Sequence, residues 1–488
     1  MIDNGENLTE LPKGWAGTQV GEIACLVRGV TYKKQEASGV AKEGYLPILR
    51  ANNINARINF DELVYVPAER ISPEQFVETL DIVVAMSSGS KDLVGKAAQS
   101  LSSFGGGFGT FCGLVRPSKL SNGKFLGYFF QSPRYRRAIA LSSSGVNINN
   151  LRREHIETMP IPVAPLAEQK RIVAKIEELF TWLDAGVEAL KKVKAELKRY
   201  RRAVLKAAFE GKLTAEWRQR NKDKLEPASK LLERIAKERE KAAPARRGGK
   251  GKAKKLPPLD TSELPELPEG WEWARVGEIG EAVTGTTPSK KETEYYGNDY
   301  PFFKPTDLNA GYYVRVSADN LSNKGIENAR LLPGKSILVT CIGATIGKTG
   351  FIRSAGASNQ QINAIIPLTG VMPEYAYFNC ISPQFQKSIL DNASATTLPI
   401  LNKGRFELLS LPLCCEPEQK AIVQEIERHF SIADEVEQTI EKSLKESQRL
   451  RQSILKRAFE GKLVPQNAND EPAEELLRRI KTEKAKRR

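Results

Sequence analysis

The 488-residue chain contains an internal repeat, and this repeat limits the possible folds more than any other feature of the sequence. The segment FEGKL occurs at 209–213 and again at 459–463, and LPKGW at 11–15 has a counterpart, LPEGW, at 267–271. The offset is 256 residues at the start of the halves and 250 at their ends, as expected for two copies of one fold with loops of different lengths. Two equivalent halves predict a protein that engages two equivalent partners or sites.

Each half is predicted to begin with a compact mixed domain. Short apolar runs such as DIVVAM at 81–86 and SILVTC at 336–341 are bounded by Gly, Ser and Asn, which is typical of strands. Each half then continues into an amphipathic helix of about 40 residues, in which apolar residues recur at steps of three and four. The predicted seam of the first helix is Ile172, Ile176, Leu179, Leu183, Val187, Leu190, Val193, Leu197, Tyr200 and Val204. The fold class is therefore α+β, with two repeated mixed α/β domains alternating with two long helices.

The two long helices are expected to pair with each other. A helix of this length with a single apolar stripe needs a second helix to cover it, and its own repeat is the simplest partner. The mixed domain between the helices favours an antiparallel coiled coil. The expected segments are a first mixed domain at 1–160, a first long helix region at 161–218, a basic flexible linker at 219–262, a second mixed domain at 263–411, a second long helix region at 412–464 and a basic helical tail at 465–488.

The chain is strongly basic, with 74 Lys and Arg residues against 59 Asp and Glu and a formal net charge of +15. Such an excess favours an extended anionic partner, most simply nucleic acid. Part of it lies at 241–255, where Lys and Arg stand among Gly and Ala in a composition that predicts a flexible linker. EPASKLL at 226–232 and EPAEELL at 471–477 form a weaker repeat; solvated helix ends or docking segments for a second protein would explain them.

The sequence offers little for metal binding. Its six cysteines show no C-x-x-C spacing and its only histidines are His155 and His429, so no zinc finger can be assembled. Reduced, buried cysteines are expected, as in a cytosolic protein. The first residues lack the basic and apolar stretches of a signal peptide, and no apolar run approaches the ~18 residues of a membrane span, so a cytoplasmic location is expected.

Two loops imitate a phosphate-binding loop. The segment GATIGKT at 343–349 has three residues between its glycines where a nucleotide-binding loop requires four, and the counterpart at 89–96 has five. We interpret both as tight turns between strands, in which Lys96 and Lys348 are free to contact phosphate. The Asn-Pro-Pro-aromatic motif of enzymes that methylate exocyclic amines is also absent from the sequence, and the chain is predicted to be non-catalytic.

Polar side chains suited to DNA recognition cluster in the loops of both mixed domains. Arg and Lys suit guanine, Asn and Gln suit adenine, and Lys with Ser or Thr suits phosphate, although such loops also occur simply as turns. The first-half candidates are Arg28, Lys33, Lys34, Arg50, Asn52, Asn53, Ser87, Ser88, Lys91 and Lys96. The second-half candidates are Lys290, Lys291, Lys304, Asp307, Asn309, Lys348, Asn359, Gln360, Gln361 and Asn363.

The differences between the halves carry a further prediction. LPILRANNIN at 46–55 and PFFKPTDLNA at 301–310 occupy corresponding places but disagree at most polar positions. One scaffold with two reading surfaces predicts recognition of an asymmetric, two-part DNA site. Two alternatives stay open: a self-sufficient DNA-modifying enzyme with a cryptic site, and a coiled-coil scaffold whose domains bind proteins.

Together these features resemble the specificity subunit of bacterial type I restriction-modification systems over essentially the whole chain. The resemblance rests on the LPxGW openings, the glycine turns, PIPVAPLAEQKRIV at 160–173 with its twin at 411–423, and the two FEGKL helix ends. The Lys- and Gly-rich stretch at 246–255 is not part of that pattern.

The resemblance implies a non-enzymatic DNA reader in which both mixed domains are target-recognition domains and the two parts of the site are separated by a fixed spacer. It further implies two modification subunits, which methylate adenine with S-adenosylmethionine, and two motor-nuclease subunits, which use ATP and Mg²⁺ to cleave DNA. No cofactor is expected on this chain itself.

Overall fold

Two copies of one arrangement of strands and helices make up the chain, as the repeat predicts. The computed structural model describes residues 11–55, 57–87, 93–142, 150–246, 256–394 and 398–487. The first half contains β1 (Ala16–Gln19), α1 (Val20–Ile23), β2 (Ala24–Arg28), β3 (Tyr45–Leu49), β4 (Val64–Pro67), β5 (Ile82–Ala85), β6 (Ala97–Gln99), β7 (Gly107–Phe108), β8 (Cys112–Pro117), α2 (Gly123–Phe129), α3 (Pro133–Ser142), α4 (Arg153–Glu157), β9 (Pro160–Val163), α5 (Leu166–Phe209), α6 (Ala215–Asn221) and α7 (Ala228–Arg246). The second half contains β10 (Glu272–Arg275), α8 (Val276–Ile279), β11 (Gly280–Thr284), β12 (Tyr296–Phe303), β13 (Asp319–Leu321), α9 (Asn323–Glu327), β14 (Ile337–Thr340), β15 (Thr349–Phe351), β16 (Ala357–Ser358), β17 (Ile362–Pro367), α10 (Pro373–Cys380), α11 (Pro383–Asn392), α12 (Lys403–Glu407), β18 (Ser410–Leu413), α13 (Glu416–Phe459) and α14 (Ala473–Arg487).

The sheets of the two halves correspond strand for strand. The four-stranded sheets have the orders β2-β8-β5-β6 and β11-β17-β14-β15, and the three-stranded sheets have the orders β4-β3-β7 and β13-β12-β16. In each three-stranded sheet the central strand has one antiparallel and one parallel neighbour. Every residue of β5 and β14 is buried, because a strand that lies inside a sheet covered on both faces has no polar side. The mixed α/β character predicted for both domains is confirmed.

The chain forms two compact units, and neither coincides with one half of the sequence. Unit 1 comprises Met1–Lys191 and Glu441–Arg488, and unit 2 comprises Lys192–Ile440. Each unit contains one mixed domain and a part of both long helices. It also contains one of the two helices that follow them, α14 in unit 1 and α7 in unit 2, which we call the tail helices. Both long helices have 44 residues, and each begins in one unit and ends in the other.

Within each unit the long helices pack side by side and run antiparallel. In unit 1 the guanidinium of Arg451 on α13 binds Asp184 of α5 and lies 4.0 Å from the ring centroid of Phe180. In unit 2 Arg201 on α5 binds Asp434 of α13 at 2.6 Å. Residues later in α5 thus contact residues earlier in α13, and the predicted antiparallel pairing is confirmed. The two ion pairs are copies of each other, because each residue of one stands 250 positions from its counterpart in the other.

The predicted apolar seam is buried at the ends of α5 but not along its whole length. Ile172, Ile176 and Val204 are buried, whereas Val193 and Tyr200 are 45% and 39% exposed. The seam prediction was wrong for Val193, because a pair of helices covers only a narrow stripe of each partner and the mixed domains add further cover only near the helix ends. Tyr200 does face α13, since its hydroxyl is hydrogen-bonded to Nδ1 of His429 at 2.6 Å.

The repeated motifs meet one another where a long helix ends. FEGKL is a helix end in which Gly211 and Gly461 adopt positive φ angles of 69° and 66°, a conformation that favours glycine. A Cβ atom on Gly211 would lie 2.3 Å from Cγ of Pro268, and one on Gly461 would lie 2.4 Å from Cγ of Pro12. Each FEGKL segment therefore packs on the LPxGW opening from the other half of the sequence, which explains why the two motifs are repeated together.

The segment after each long helix docks on the chain itself. In unit 2 the N–H of Ala228 donates to Gly270 O at 2.9 Å, and in unit 1 the N–H of Ala473 donates to Gly14 O at the same distance. Buried leucine and isoleucine side chains of both tail helices belong to the core of the unit in which they lie; they are Leu231, Ile235, Leu476 and Ile480. The apolar faces of these segments are therefore covered within the chain, and the weaker repeat reflects packing that both units share.

The basic flexible linker predicted at 219–262 is also wrong over most of its described length. Helix α7 occupies Ala228–Arg246, and the chain returns at Leu256 to pack on the short helix α8. The guanidinium of Arg275 donates hydrogen bonds to the carbonyl oxygens of Pro257 and Pro258 and holds the returning chain in place. Residues 247–255, the most Lys- and Gly-rich part, lie outside the described residues.

Five of the six cysteines are buried, as expected, whereas Cys25 is exposed on β2. No helix in the described part of the chain is long and apolar enough to cross a membrane.

Candidate nucleic-acid interface

Three loops meet on the mixed domain of unit 1. The N–H of Gly109, in the β7–β8 loop, donates to Leu49 O at 2.8 Å, which places Arg50 of the loop after β3 beside it. The N–H of Ser87, in the β5–β6 loop, donates to Phe111 O at 3.1 Å. Three segments that are far apart in sequence are therefore neighbours in the folded domain.

The same three loops meet in unit 2. The N–H of Asn359, in the β16–β17 loop, donates to Phe303 O at 3.2 Å, which places Lys304 of the loop after β12 beside it. The N–H of Cys341, at the start of the β14–β15 loop, donates to Gln361 O at 2.7 Å. We call these two sets of three loops the reading loops of unit 1 and unit 2.

The glycine turns that imitate nucleotide-binding loops are hairpins. The N–H of Gly95 donates to Ala85 O at 2.8 Å and that of Gly347 donates to Thr340 O at 2.9 Å, so each loop connects two antiparallel strands. A nucleotide-binding loop instead connects a strand to a helix whose N-terminus holds the phosphates. Both are strand-to-strand connections, as interpreted, but they are longer than tight turns: eight residues separate β14 from β15, and eleven separate β5 from β6, of which 88–92 lie outside the described residues. After the second turn, Lys348 Nζ donates to Asn309 Oδ1 at 2.8 Å and thereby joins two predicted contact residues.

Most first-half candidates lie at the surface. Exposed side chains in this set are Arg28, Lys33, Lys34 and Asn52, and partly exposed ones are Arg50, Ser87 and Lys96. Arg50 Nη2 donates to Glu62 O at 3.1 Å, and Ser87 Oγ hydrogen-bonds Asn150. Lys33 and Lys34 belong to a separate turn that closes on Glu36, so the described contacts do not link them to the reading loops. Ser88 and Lys91 lie outside the described residues.

Asn53 is a structural residue rather than an exposed contact. It is 1% exposed, its Oδ1 accepts a hydrogen bond from the N–H of Arg50 at 2.9 Å, and its Nδ2 donates to Asp61 O at 2.8 Å. In unit 2 the carboxylate of Asp307 accepts from the N–H of Lys304 at 2.7 Å in the same way. Asn53 closes the turn after β3 and Asp307 closes the turn after β12. Their polar atoms are occupied by the backbone and are not available to hydrogen-bond a base.

The second-half candidates divide in a similar manner. Lys290, Lys291, Asn309 and Gln360 are exposed, and Lys304, Lys348 and Gln361 are partly exposed. Lys304 is paired with Asp319, and Gln360 accepts a hydrogen bond from Thr287 Oγ1 at 2.5 Å. Asn363 is buried, with Thr284 Oγ1 donating to its Oδ1 at 2.7 Å, and is not an exposed contact.

Asn359 acts on Gln361 instead of facing solvent. It is 8% exposed, its Nδ2 donates to Gln361 Oε1 at 2.9 Å, and its Oδ1 accepts from the N–H of Gln361 at 3.2 Å. The two bonds fix both the backbone and the carboxamide of Gln361.

A tether connects the reading loops of unit 2 to the long helix α13. Tyr312, at the end of the loop that carries Asn309, donates from its hydroxyl to Glu427 Oε1 at 2.6 Å and stacks on Phe378 at 5.0 Å between ring centroids. Arg353 lies 4.4 Å from the Tyr312 ring centroid on the same cluster. Burial is the main cause that raises the pKa of Tyr312, and the hydrogen bond to Glu427 adds to it, so the phenol keeps its proton. No sequence pattern singles out Tyr312, because its role depends on Glu427, which lies 115 residues further along the chain.

Sequence reasoning also missed Phe111, which is 66% exposed in the β7–β8 loop. An apolar residue next to a strand is typical of a core, and only the folded chain reveals the exposure. The sequence contains one signal for this residue. At the offset of 250 residues Phe111 corresponds to Gln361, so this one position is apolar in the first half and polar in the second.

The described residues contain no group of His, Cys, Asp and Glu side chains that could hold a metal ion.

Comparison with known proteins identifies the family. The model of the type I restriction modification DNA specificity domain matches residues 12–199 and again residues 268–446. The EcoKI specificity subunit of Escherichia coli K12 is 31% identical over 499 residues, which cover 98% of this chain and 97% of that protein. The StySPI specificity subunit of Salmonella potsdam is 31% identical over 510 residues, with the same coverage.

Solved structures agree at the level of the fold. A chain from a study of complex assembly and conformational transition of the type I R-M system has a TM-score of 0.64 at 18% identity, covering 93% of this chain and all of that one. The HsdS subunit of Thermoanaerobacter tengcongensis has a TM-score of 0.51 at 17% identity, covering 94% of this chain and all of that one.

The duplicated domain, the antiparallel helices and the two near-full-length relatives lead to one conclusion. The chain belongs to the specificity subunits of type I restriction-modification systems, the non-catalytic components through which these systems recognise DNA sequence.

Proposed function

We propose that each unit reads one part of an asymmetric, two-part DNA site with its own reading loops. The observation that carries this proposal is the pairing of one scaffold with two sets of side chains. Arg50 in unit 1 corresponds to Lys304 in unit 2, and Phe111 corresponds to Gln361. Hydrogen-bonding side chains in exposed loops read base edges in the major groove, and different side chains favour different bases. The net charge of +15 supports binding to the phosphate backbone.

The phosphate contacts are assigned to side chains that both units share. Lys96 and Lys348 follow the glycine turns at equivalent positions, so they would contribute affinity without sequence preference. Lys33, Lys34, Lys290 and Lys291 are exposed cations in surface turns, and Arg28 is an exposed cation at the end of β2; these residues would act in the same way.

Modification subunits are proposed to dock on the long helices. Trp182 of α5 is 72% exposed, and its repeat counterpart Ile432 of α13 is 48% exposed. Tyr200 and Leu450 form a second equivalent pair and are 39% and 51% exposed. Large exposed apolar side chains, tryptophan above all, are typical anchors of protein interfaces. Two equivalent surfaces favour two copies of the modification subunit, one for each unit.

The remaining activities then belong to the partners. S-adenosylmethionine would be used by the modification subunits to methylate adenine, and ATP and Mg²⁺ by two motor-nuclease subunits, with the assembly acting on DNA in the bacterial cytoplasm. The present chain would determine which DNA sequence is recognised and how far apart its two parts lie.

Genome-wide mapping of methylated adenines tests the proposal. The chain and its modification subunit are expressed together in a host without other adenine methylation, and the expected result is one asymmetric sequence in two parts with a constant spacer. A variant with Arg50→Ala should relax the sequence at one part only, and Lys304→Ala should relax it at the other. Absence of a defined methylated sequence, or a palindromic one, would contradict the proposal.

A further inference from the structure

Phe111 presents a large apolar surface from a fixed backbone. Its carbonyl oxygen accepts hydrogen bonds from the N–H groups of Met86 at 2.9 Å and Ser87 at 3.1 Å, and the N–H of Cys112 donates to Gly109 O at 2.9 Å. The residue nevertheless remains 66% exposed. An exposed phenylalanine on an ordered backbone has few rotatable bonds, so it can bury its surface against a ligand at a small cost in conformational entropy.

Two polar segments adjoin the loop that carries Phe111. Its Gly109 N–H bonds the segment that carries Arg50, and its Phe111 carbonyl accepts from Ser87, whose side chain hydrogen-bonds Asn150. Thr110 donates from its hydroxyl to Val30 O at 2.8 Å and is therefore engaged within the domain. A ligand that fits this surface must combine hydrogen-bonding edges with one apolar group. In the major groove of DNA, thymine is the base that offers such a group, its 5-methyl.

The counterpart in unit 2 has the opposite chemistry. Gln361 stands at the position of Phe111, and Asn359 fixes its carboxamide. Carboxamides of glutamine and asparagine suit adenine, whose N6 and N7 atoms offer one donor and one acceptor. The two units therefore differ in kind at this position.

We propose that Phe111 is a specificity-determining residue that contacts the 5-methyl group of a thymine, and that Gln361 reads adenine from the same position in unit 2. This inference rests on the proposed function and assigns to it the base read at one position of each part of the site.

Replacing thymine with deoxyuridine tests the contact, because the exchange removes only the methyl group. Full-length chain assembled with its modification subunit is titrated with duplexes of the mapped recognition sequence in which each thymine, on either strand, is replaced in turn. The wild-type assembly should lose affinity about fourfold at one position. The Phe111→Ala assembly should bind the thymine and deoxyuridine duplexes equally, whereas Phe111→Leu should retain part of the preference.

Three outcomes overturn the inference. The first is a wild-type assembly that is indifferent to every deoxyuridine. The second is a recognition sequence with no thymine in the part that Phe111→Ala affects. The third is a Phe111→Ala assembly that keeps the same preference as wild type. Failure of the proposed function would look different, because the wild-type assembly would then select no defined sequence at all. Thermal unfolding of Phe111→Ala should match wild type, since the side chain is mostly exposed.

A matched variant in unit 2 serves as the control. Gln361→Ala should leave the deoxyuridine effect of Phe111 unchanged and relax the preference for adenine at one position in the other part of the site. A loss of the thymine preference in Gln361→Ala would contradict the assignment of one residue to each part.

Discussion

Unit 1 and unit 2 bury the same glutamate, Glu168 in one and Glu418 in the other, but they balance its charge differently. In unit 2 the carboxylate accepts hydrogen bonds from Arg218 Nε at 2.8 Å, Thr214 Oγ1 at 2.9 Å and Trp271 Nε1 at 2.9 Å. Every oxygen of the acid is engaged, and a cation neutralises it.

In unit 1 Trp15 Nε1 donates to Glu168 Oε2 at 3.1 Å, while the buried Oε1 has no hydrogen-bond partner among the described residues. Val464 and Ala468 stand at the positions of the threonine and the arginine of unit 2. Burial raises the pKa of Glu168, because the charged form is poorly solvated there. Both units therefore keep the tryptophan–glutamate hydrogen bond that joins the mixed domain to the long helix. Among the described residues, only unit 2 keeps an arginine hydrogen-bonded to the glutamate.

The largest expected effect separates the units most clearly. Arg218→Met should lower the free energy of unfolding by about 3 to 5 kcal/mol, because it leaves a buried carboxylate without its cation. Arg171→Met in unit 1, which removes a partly exposed pair with Asp470, should cost only about 1 kcal/mol. Urea unfolding of the full chain measures both. The double variant Arg218→Met with Glu418→Gln should recover most of the loss; equal losses for the two arginines would remove the distinction.

The tail helices should show the opposite, an equal response of the two units. Leu231 and Leu476 are each 2% exposed in the core of their unit. Replacing either with alanine should cost about 3 kcal/mol, because both leave a cavity at equivalent places. Trypsin digestion beside urea unfolding would check that the tail is released in each case. A much smaller effect for Leu476→Ala would mean that α14 docks less firmly than α7.

The next prediction concerns pH. Glu168 has a raised pKa in the folded chain, so the folded state binds its proton more tightly than the unfolded state, where the ordinary value is 4.5. Stability contributed by this group is present below pH 4.5 and is lost as the pH rises through the raised pKa. Glu168→Gln should therefore stabilise the chain at pH 7.5, by less than the loss expected for Arg218→Met, and have little effect at pH 4.

The matched variant Glu418→Gln should act with the opposite sign at pH 7.5, because Arg218 would lose its charged partner. Thermal unfolding of both variants across this pH range decides the matter. Destabilisation by Glu168→Gln at neutral pH would show that the unpaired oxygen is satisfied in solution.

The smallest effect concerns the shared lysines. Lys96→Gln and Lys348→Gln should each reduce the slope of log affinity against log salt concentration by about 1 while leaving the methylated sequence unchanged. Asn309 accepts a hydrogen bond from Lys348 and positions it. Asn309→Ala should therefore weaken DNA binding by releasing Lys348, and no such second variant is predicted for Lys96. A changed sequence in either lysine variant would place that lysine on a base.

The repeat allowed much of the fold to be predicted. The two long helices are copies of each other at an offset of 250 residues and pair antiparallel. An ion pair of Arg201 with Asp434 therefore predicts an equivalent ion pair of Arg451 with Asp184. Fully apolar strands such as β5 were equally predictable, because a run of that kind has no other stable environment.

What failed depended on contacts distant in sequence. Leu231 and Ile235 stand among lysine and glutamate residues, so their segment has the composition of a linker, and only the mixed domain of unit 2 gives them a place to be buried. Asparagine in a loop suits adenine and therefore predicts a base contact at Asn53, yet backbone groups of the same loop bind both of its polar side-chain atoms. Phe111 shows the reverse error: an apolar residue next to a strand predicts a core position, but in the folded chain it is exposed.

The tail contacts have a consequence for how such chains can diversify. The contact of Ala473 with Gly14 reproduces that of Ala228 with Gly270, so the packing does not record which half comes first along the gene. A rearrangement that exchanged the two halves along the gene would keep both of these contacts. The tail packing therefore sets no requirement on the order in which the two recognition domains are encoded.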